Sequence, residues 1–150
     1  MFRISSTTLK PTTLRRELLD SRAGGVVSFE GRVRTRNAGR TVCRLEYEVY
    51  RELAEKEGTL IIAEARRKFS ILSAACVHRC GRLQVGEIAV WVGVTAEHRG
   101  AAFAACSYII EETKKRVPIW KKEHYATSGA EWITRPAGGN TAKPGAKRKA

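Results

Sequence analysis

The sequence predicts a single α+β domain with a largely antiparallel sheet and packed helices. Three observations favour this fold class: two neighbouring alternating stretches that form a hairpin, two long stretches with helical spacing, and a second pair of strands between those helices. The predicted order is β-α-β-β-α-β-β-α, followed by an extended segment. The 150 residues suffice for one sizeable core. We assign residues 1–134 to this domain and residues 135–150 to a basic tail.

The first third of the chain predicts a strand, a short helix and a hairpin. Thr12 or Thr13 is the expected N-cap of a helix that runs through Asp20. Apolar and polar side chains alternate over residues 26–34 and again over residues 42–50, as they do in strands with one buried face. Turn-forming residues separate these two stretches, so the pair predicts a β-hairpin.

The middle of the chain predicts a helix and a second pair of strands. Apolar residues recur near helical spacing over residues 51–69, although Gly58 weakens the centre of this helix. Alternating patterns then predict strands at residues 71–80 and 87–95. The hairpins alternate with helices, which is typical of an α+β fold.

The last predicted helix, residues 96–116, carries the most informative single residue. Thr95 is its expected N-cap, and Pro118 forces it to stop. Lys114 continues the apolar stripe, which predicts a partly desolvated amine with a lowered pKa that can act as nucleophile or base. The alternative is a cation that complements the helix dipole in the last turn, and the pattern alone favours this alternative.

Two pairs of cationic residues are candidates for binding an anion. Arg32 and Arg34 share one face of their predicted strand, and two guanidinium groups suit a phosphate or a carboxylate. His98 and Arg99 occupy the first turn of the last helix, where free backbone N–H groups already favour an anion. Solvent-exposed side chains without a ligand remain the alternative for both pairs.

The composition limits the classes of partner and compartment. A net charge of +13 indicates anionic partners such as nucleic acid, a phosphorylated metabolite or an acidic protein surface. The tail, rich in Pro, Gly, Thr and Lys, is predicted to be disordered. No stretch reaches the roughly 20 apolar residues that cross a bilayer, so we expect a cytoplasmic protein without a membrane span.

The four cysteines are Cys43, Cys76, Cys80 and Cys106, and they show no pattern of a secreted disulfide scaffold. A reducing compartment is therefore expected. Cys76, His78 and Cys80 would share one face of a strand, which suggests zinc, but a second pair of ligands is missing. We therefore predict buried thiols and no metal site.

Five motifs follow one another in a specific order. They are GVVSFxGxVR at residues 25–34, LEYExY at 45–50, HRxG at 78–81, AxHRxxAF at 96–103 and KxxVPIWKKE at 114–123, and Trp132 closes the series. In this order they resemble the large, catalytic subunit of molybdopterin synthase from about Gly24 to Trp132. The last motif is the most distinctive.

The resemblance implies an α/β-hammerhead-like fold and a sulfurtransferase of molybdenum cofactor biosynthesis. Such enzymes convert cyclic pyranopterin monophosphate, or precursor Z, to molybdopterin by installing a dithiolene. The implied sulfur donor is the C-terminal thiocarboxylate of a small ubiquitin-like subunit that ends in Gly-Gly. Two large subunits would form a homodimer at the centre of a heterotetramer. No metal or organic cofactor is implied, because the sulfur arrives already activated.

The resemblance also assigns roles to residues. Lys114 and Lys121 are the implied catalytic amines. The implied substrate-binding residues are Arg32, Val33, Arg34, His98, Arg99, Lys122 and Glu123. We expect these side chains to share one pocket. In the family, part of the pocket can come from the neighbouring subunit near the C-terminus, and a contribution of Arg135 there is left open.

Two other classes of function fit part of the sequence. The positive charge, the basic tail and Trp120 beside lysines are also typical of a nucleic-acid-binding protein, which would bind DNA or RNA with a steep salt dependence. A protein of the same fold that has lost catalysis and acts as a scaffold is a third possibility. The presence of both Lys114 and Lys121 argues against a scaffold, and the order of the motifs argues against nucleic-acid binding.

Overall fold

The computed structural model describes residues 1–133, which form two β-sheets and three helices in an α+β domain. The helices are α1 (Pro11–Arg16), α2 (Arg51–Lys68) and α3 (Arg99–Arg116). The strands are β1 (Phe2–Ser5), β2 (Gly25–Arg32), β3 (Arg36–Asn37), β4 (Arg40–Val49), β5 (Ser73–Arg79), β6 (Gly81–Gln84), β7 (Ile88–Ala96), β8 (Ile119–Tyr125) and β9 (Gly129–Ile133). Every strand pair in this part of the chain is antiparallel except β1 with β5. The predicted fold class is confirmed, and the predicted tail at residues 135–150 lies outside the described residues.

The first sheet has the strand order β1-β5-β7-β2 and separates two layers of helix. Val90, Val92 and Val94 of β7 pack into the apolar cluster that contains α2 and α3. Trp91, between them in sequence, packs on the other face with Leu14 of α1. Burial of a side chain of this size stabilises the fold by about 1.5–3 kcal/mol. The alternation along β7 therefore fixes helices on both faces.

The contact between α2 and the edge strand β1 explains a glycine in the middle of the helix. The ring of Phe2 packs directly on the backbone at Gly58, where a Cβ atom would collide with it. Side chains of α2 also satisfy the free edge of β1: Arg51 Nη1 donates to the Ile4 carbonyl at 2.7 Å, and the Ile4 amide donates to Glu55 Oε1 at 3.3 Å. An edge strand otherwise leaves such groups open to pairing with another chain.

The second sheet is built around β4, which pairs with β3, β6 and β8, while β9 extends the sheet beyond β8. Leu45 of β4 and Tyr125 of β8 pack with Val33 in a separate apolar cluster. The turn between β3 and β4 consists of Ala38 and Gly39, with φ angles of 46° and 78°. Two positive φ angles in succession are typical of a tight hairpin turn, which sets the register of β3 on β4.

The first helix differs from its prediction. Lys10 is the N-cap and Pro11 lies in the first turn, so neither Thr12 nor Thr13 caps the helix, and it stops before Asp20. Proline is favoured in the first turn, because its φ angle is already helical and its missing N–H has no helical partner there. The position of the proline thus decides where this helix begins.

The last helix begins later than predicted. Thr95 remains in β7, where it pairs with Val26 of β2 and Ser73 of β5, and His98 is the N-cap of α3. The prediction of Thr95 as N-cap is wrong, because the sheet continues on both sides of β7 up to its last residues. The predicted stop of the helix before Pro118 is confirmed. Within residues 1–133, no helix is both long and apolar enough to span a membrane.

The segment after α3, predicted as extended, is the hairpin of β8 and β9. Lys121 lies opposite Tyr47 of β4 on one side and Ile133 of β9 on the other. The predicted strand at residues 26–34 also ends earlier, at Arg32, where the register with β7 shifts. The motif at residues 114–123 therefore joins the end of a helix to a central strand of the second sheet.

Candidate active site

The buried carboxylate of Glu123 is the centre of a polar cluster on β8. Lys121 lies on the same face of the strand, and its Nζ is 2.9 Å from Glu123 Oε1. The other carboxylate oxygen, Oε2, accepts hydrogen bonds from Asn37 Nδ2 at 2.8 Å and from the Tyr125 hydroxyl at 2.6 Å. The Glu123 side chain is 3% exposed and the Lys121 side chain 31% exposed. The cluster thus keeps its carboxylate inside and its ammonium near the surface.

The contacts of Glu123 decide its charge. Burial raises the pKa of this carboxyl, because the charged form loses its hydration. The hydrogen bonds from Tyr125, Lys121 and Asn37 act in the opposite direction and together outweigh burial, so the pKa lies below its ordinary value of 4.5. Glu123 is therefore ionised at neutral pH and forms an ion pair with Lys121.

Lys122 lies on the opposite face of β8. Its Nζ is 5.4 Å from the centroid of the Trp132 ring, which is a cation–π contact. Successive side chains of a strand point to opposite faces, so Lys122 and Lys121 serve different surfaces of the second sheet. A single chain therefore does not bring both of these amines onto one surface.

Lys114 lies exposed in the last turn of α3. Lys114 is not partly desolvated in the single chain, because the buried face of the helix runs through Ile109 and Thr113. Its exposed position agrees with the alternative that the pattern alone favoured, a cation in the last turn of the helix. Its neighbours are engaged: Lys115 contacts Glu112 at 3.2 Å. Arg116 binds acids of α2 and α3. The side chain of Lys114 has no hydrogen bond or ion pair within residues 1–133.

The segment after β2 places its three predicted residues in different environments. Arg32 is paired with Glu30, with 2.6 Å between Nη2 and Oε2. Val33 is 3% exposed, and its amide donates to the Glu87 carbonyl at 3.0 Å. Arg34 is exposed and has no side-chain partner among the described residues. Of the two arginines, Arg34 is therefore the one whose guanidinium is available to an external anion.

His98 and Arg99 lie at the start of α3. Both side chains are exposed, and neither has a hydrogen bond or an ion pair in the part of the chain that the structure describes. The helix rests closely on the beginning of β2 here, since a Cβ atom at Gly25 would lie 3.2 Å from Arg99 Cα. A guanidinium and an imidazole thus lie beside the free N–H groups of a helix start, where an anion is favoured.

The predicted residues fall into two groups within one chain. Arg99 and Lys114 are fifteen residues apart on α3, which corresponds to about 22 Å along the helix axis. Lys114 and Lys121 instead flank the same turn between α3 and β8, and Val33 packs in the same cluster as Tyr125. The single chain therefore does not gather all predicted residues into one site.

Two cavities in the described residues lie elsewhere. One, of about 490 Å³, lies between the loop after β1 and α1, and the other, of about 290 Å³, lies beside Cys43 and His124. No predicted site residue lines either cavity. Neither of these two cavities is therefore the predicted pocket.

Cys76 and His78, which the sequence analysis considered as zinc ligands and set aside, are buried in this structure. Cys76 is fully buried, with its Sγ 3.9 Å from Thr113 Oγ1, and burial raises the pKa of its thiol to about 12. His78 packs edge-on against the Tyr47 ring at 5.0 Å between centroids. Among residues 1–133, no group of three potential metal ligands comes together.

The sequence analysis did not identify two members of the Glu123 cluster, Tyr125 and Asn37. Tyr125 lies two positions after Glu123, so strand alternation alone would have placed both on one face. Asn37 gave no such signal, because only the pairing of β3 with β4 and of β4 with β8 brings it to Glu123. Turn composition explains an asparagine there equally well.

The fold is an α+β domain that places cationic side chains at the start of α3, at its end and on the neighbouring strand β8. Residues 4–116 match the family described as MoaE protein. A molybdopterin synthase catalytic subunit from Pyrococcus abyssi is 49% identical over 113 residues, which cover 75% of this chain and 76% of that protein. The chain belongs to the MoaE family, a family of enzymes.

Solved structures show the same architecture. Molybdopterin synthase from Staphylococcus aureus superposes with a TM-score of 0.84 at 37% identity, covering 89% of this chain and 96% of that chain. A complex of subunits 1 and 2 of molybdopterin-converting factor from Helicobacter pylori contains a chain with a TM-score of 0.70 over 85% of this chain and 87% of its own length. At 19% identity, this second likeness shows the fold alone.

Proposed function

We propose that this chain transfers sulfur to cyclic pyranopterin monophosphate and thereby forms molybdopterin. The donor in this proposal is the C-terminal thiocarboxylate of a small ubiquitin-like partner. The observation that carries the proposal is the pair of lysines around the turn from α3 to β8: Lys121 is held by the buried Glu123, and Lys114 has no partner within residues 1–133. Relatives named as molybdopterin synthase catalytic subunits support this reaction.

The proposed reaction brings two anions together. A cyclic phosphate and a thiocarboxylate repel each other, and fixed cations offset that repulsion better than water does in a closed site. The side chains of Arg34, His98, Arg99 and Lys114 have no partner in the described residues. They are thus available to the substrate phosphate and to the partner's tail, and a Gly-Gly tail is slender enough to enter a narrow cleft.

The geometry favours different roles for the two lysines. Lys121 faces the ionised carboxylate of Glu123 at 2.9 Å, so it is suited to act as a fixed cation that stabilises negative charge on the substrate or on the departing carboxylate. Lys114 faces no carboxylate within residues 1–133 and is the better candidate to move protons once substrate and partner cover it. This division accounts for the presence of two amines.

Two copies of the chain are needed to assemble this site. Arg99 and Lys114 lie about 22 Å apart on one rigid helix, too far to hold the two ends of one reacting group. We therefore propose that His98 and Arg99 of one copy complete the site formed by Lys114 and Lys121 of the other, in a homodimer that binds one small subunit per site. The Helicobacter pylori structure, which shares this fold, is a complex of two different subunits.

Mixing two inactive variants tests the shared site. In a dimer of one Lys114→Ala chain and one Arg99→Ala chain, a shared arrangement leaves one site with both defects and one site intact. Random mixing should then restore about a quarter of wild-type activity, because half the dimers are mixed and each has one good site. If each site comes from a single chain, every site keeps one defect, and no activity returns.

Reconstitution tests the reaction itself. The purified chain is incubated with a thiocarboxylated partner and precursor, and dithiolene formation is followed. Wild type should form product, and Lys114→Ala should form none while it still dimerises and binds the partner. Lys115→Ala, in the same turn and paired with Glu112, is the matched control and should retain activity. Full turnover by Lys114→Ala would refute the assignment.

The alternative of nucleic-acid binding is tested with the same protein. Retention of generic DNA with a steep salt dependence, together with no product in the reconstitution, would favour it.

We expect the reaction to take place in a reducing cytoplasm, since all four cysteines are free and Cys43 is exposed. A chain with an exposed thiol is better suited to a reducing compartment than to a secretory one.

A further inference from the structure

The carboxylate of Glu123 divides its two oxygens between partners of different kinds. Oε2 accepts two neutral hydrogen bonds, from Asn37 at 2.8 Å and from Tyr125 at 2.6 Å. Oε1 faces the ammonium of Lys121 at 2.9 Å. Because Oε2 is fully occupied, the carboxylate cannot turn without breaking two bonds in a buried environment.

The two neutral donors are themselves held in place. Asn37 immediately precedes the tight turn of the β3–β4 hairpin, so its backbone is set by that turn. The Tyr125 ring lies under the guanidinium of Arg40, with 3.7 Å between Cζ and the ring centroid. Arg40 in turn binds both carboxylate oxygens of Glu131 on β9 at 2.8 Å. Three strands thus fix the donors that fix Glu123.

We propose that Asn37 and Tyr125 are positioning residues that act through Glu123 to hold the Lys121 ammonium where the substrate binds. This inference rests on the proposed function, in which Lys121 is a fixed cation. A lysine side chain on an open surface samples many rotamers, whereas a cation that stabilises developing charge must stand ready before the reaction. The hairpin carrying Asn37 is therefore part of the device that orders Lys121, although it touches no reacting atom itself.

The sharpest test removes one hydroxyl. Tyr125→Phe keeps the ring under Arg40 and deletes the hydroxyl that donates to Glu123. We expect kcat to fall about tenfold, the size of one hydrogen bond to a charged group, with an unchanged KM for the small partner. Tyr108→Phe is the matched control, because the Tyr108 hydroxyl also donates to a glutamate, Glu64 at 2.8 Å, away from this cluster. The control should retain wild-type kcat.

A double variant with Lys121→Ala distinguishes an effect on the position of Lys121 from an effect on the stability of the domain. In a Lys121→Ala background, Tyr125→Phe should cause no further loss, because there is no ammonium left to hold. A second tenfold loss in that background would overturn the proposal. Asn37→Ala serves as a second variant that leaves Tyr125 in place and should show the same dependence on Lys121.

A readout without substrate keeps this inference distinct from the proposed function. In the ¹⁵N-labelled dimer, the ammonium signal of Lys121 should be sharp in wild type and in Tyr108→Phe, and should broaden in Tyr125→Phe and Asn37→Ala. An unchanged signal in both latter variants would overturn the positioning role. A wild-type chain with this ordered signal that forms no product would overturn the proposed function and leave the positioning role standing.

Discussion

Two glutamates in this chain bind the same kinds of partner in different surroundings. Glu123 accepts from the Tyr125 hydroxyl at 2.6 Å and faces Lys121 at 2.9 Å. Glu64, on α2, accepts from the Tyr108 hydroxyl at 2.8 Å and from Arg116 at 2.6 and 2.9 Å. The Glu123 side chain is 3% exposed and that of Glu64 24% exposed.

The two clusters differ in how many carboxylates surround the cation. Arg116 also contacts Glu57 at 2.6 Å and Glu112 at 3.5 Å, so acids of α2 and α3 surround it. Lys121 has a single carboxylate partner within residues 1–133, and its ammonium stays near the surface. The Glu64 cluster therefore ties two helices together, whereas the Glu123 cluster leaves its ammonium near the surface, as the proposed role of Lys121 requires.

The largest expected difference between the two clusters is in the rate of dithiolene formation after each glutamate is replaced by glutamine. Glu123→Gln removes the anion that holds Lys121, and we expect the rate of dithiolene formation to fall about 100-fold, as when one stabiliser of transition-state charge is lost. Glu64→Gln should change this rate by less than about twofold, because it lies in a different cluster with no shared partner. Initial rates with saturating partner and precursor measure both effects.

An equal loss of the rate of dithiolene formation in Glu123→Gln and Glu64→Gln would contradict this distinction between the two clusters. A common loss would mean that either substitution acts through the stability of the domain. Thermal unfolding of both variants at neutral pH is the control, since only Glu64→Gln should lower Tm without a matching loss of rate.

Local patterns predicted much of the fold and part of the site. The alternation at β2, β4 and β7 and the helix stop before Pro118 follow from the sequence, because strand periodicity and proline geometry are local. The start of α3 does not, since pairing of Thr95 on both sides overrides its capping tendency. Helical spacing placed Lys114 near the apolar stripe, but it could not show where the buried face ends.

The polar cluster shows the limit of sequence reasoning more clearly. Lys121 and Glu123 were found through the motif that they share. Their ion pair follows from strand alternation, which places residues two apart on one face. Asn37 is 86 positions away from Glu123, and only the register of three strands brings it within 2.8 Å. Long-range register depends on the whole sheet, so no local pattern predicts it.

Acid should affect the Glu64 cluster through stability. Hydrogen bonds from Arg116 and then Tyr108 lower the pKa of Glu64 from 4.5 to about 2. A lowered carboxyl pKa means that this stabilisation is present above pH 4.5 and is lost as the pH falls toward 2. The free energy of unfolding should therefore decline less steeply between these pH values in Glu64→Gln than in wild type. The effect is modest because solvent screens the pair.

Urea unfolding at pH 7 and at pH 3 measures this difference. Tyr108→Phe should give an intermediate slope, since it removes the weaker of the two contacts that lower the pKa of Glu64. Equal pH slopes in wild type and Glu64→Gln would show that the helix-tying role is wrong. The Glu64 cluster could then no longer be contrasted with the Glu123 cluster as one that stabilises the contact between α2 and α3.

The smallest expected effect is at the turn that sets Asn37. Ala38 has a φ of 46°, in the left-handed region, which costs a residue with a Cβ about 1 kcal/mol. Ala38→Gly removes that strain but adds chain entropy to the unfolded state, so the net gain in stability should be at most about 0.5 kcal/mol. The rate of dithiolene formation should not change, because Asn37 keeps its bond to Glu123. Urea unfolding and initial rates measure the two quantities.

The contrasting variant at the same turn is Gly39→Val. Gly39 has a φ of 78°, where a β-branched side chain is strongly disfavoured, so the turn should open and Asn37 should move away from Glu123. If the β3–β4 hairpin orders Lys121, the rate of dithiolene formation should fall in Gly39→Val by about as much as in Asn37→Ala. It should not fall in Ala38→Gly. A fully active Gly39→Val would mean that Tyr125 alone suffices to hold Glu123, which would narrow the positioning role to one residue.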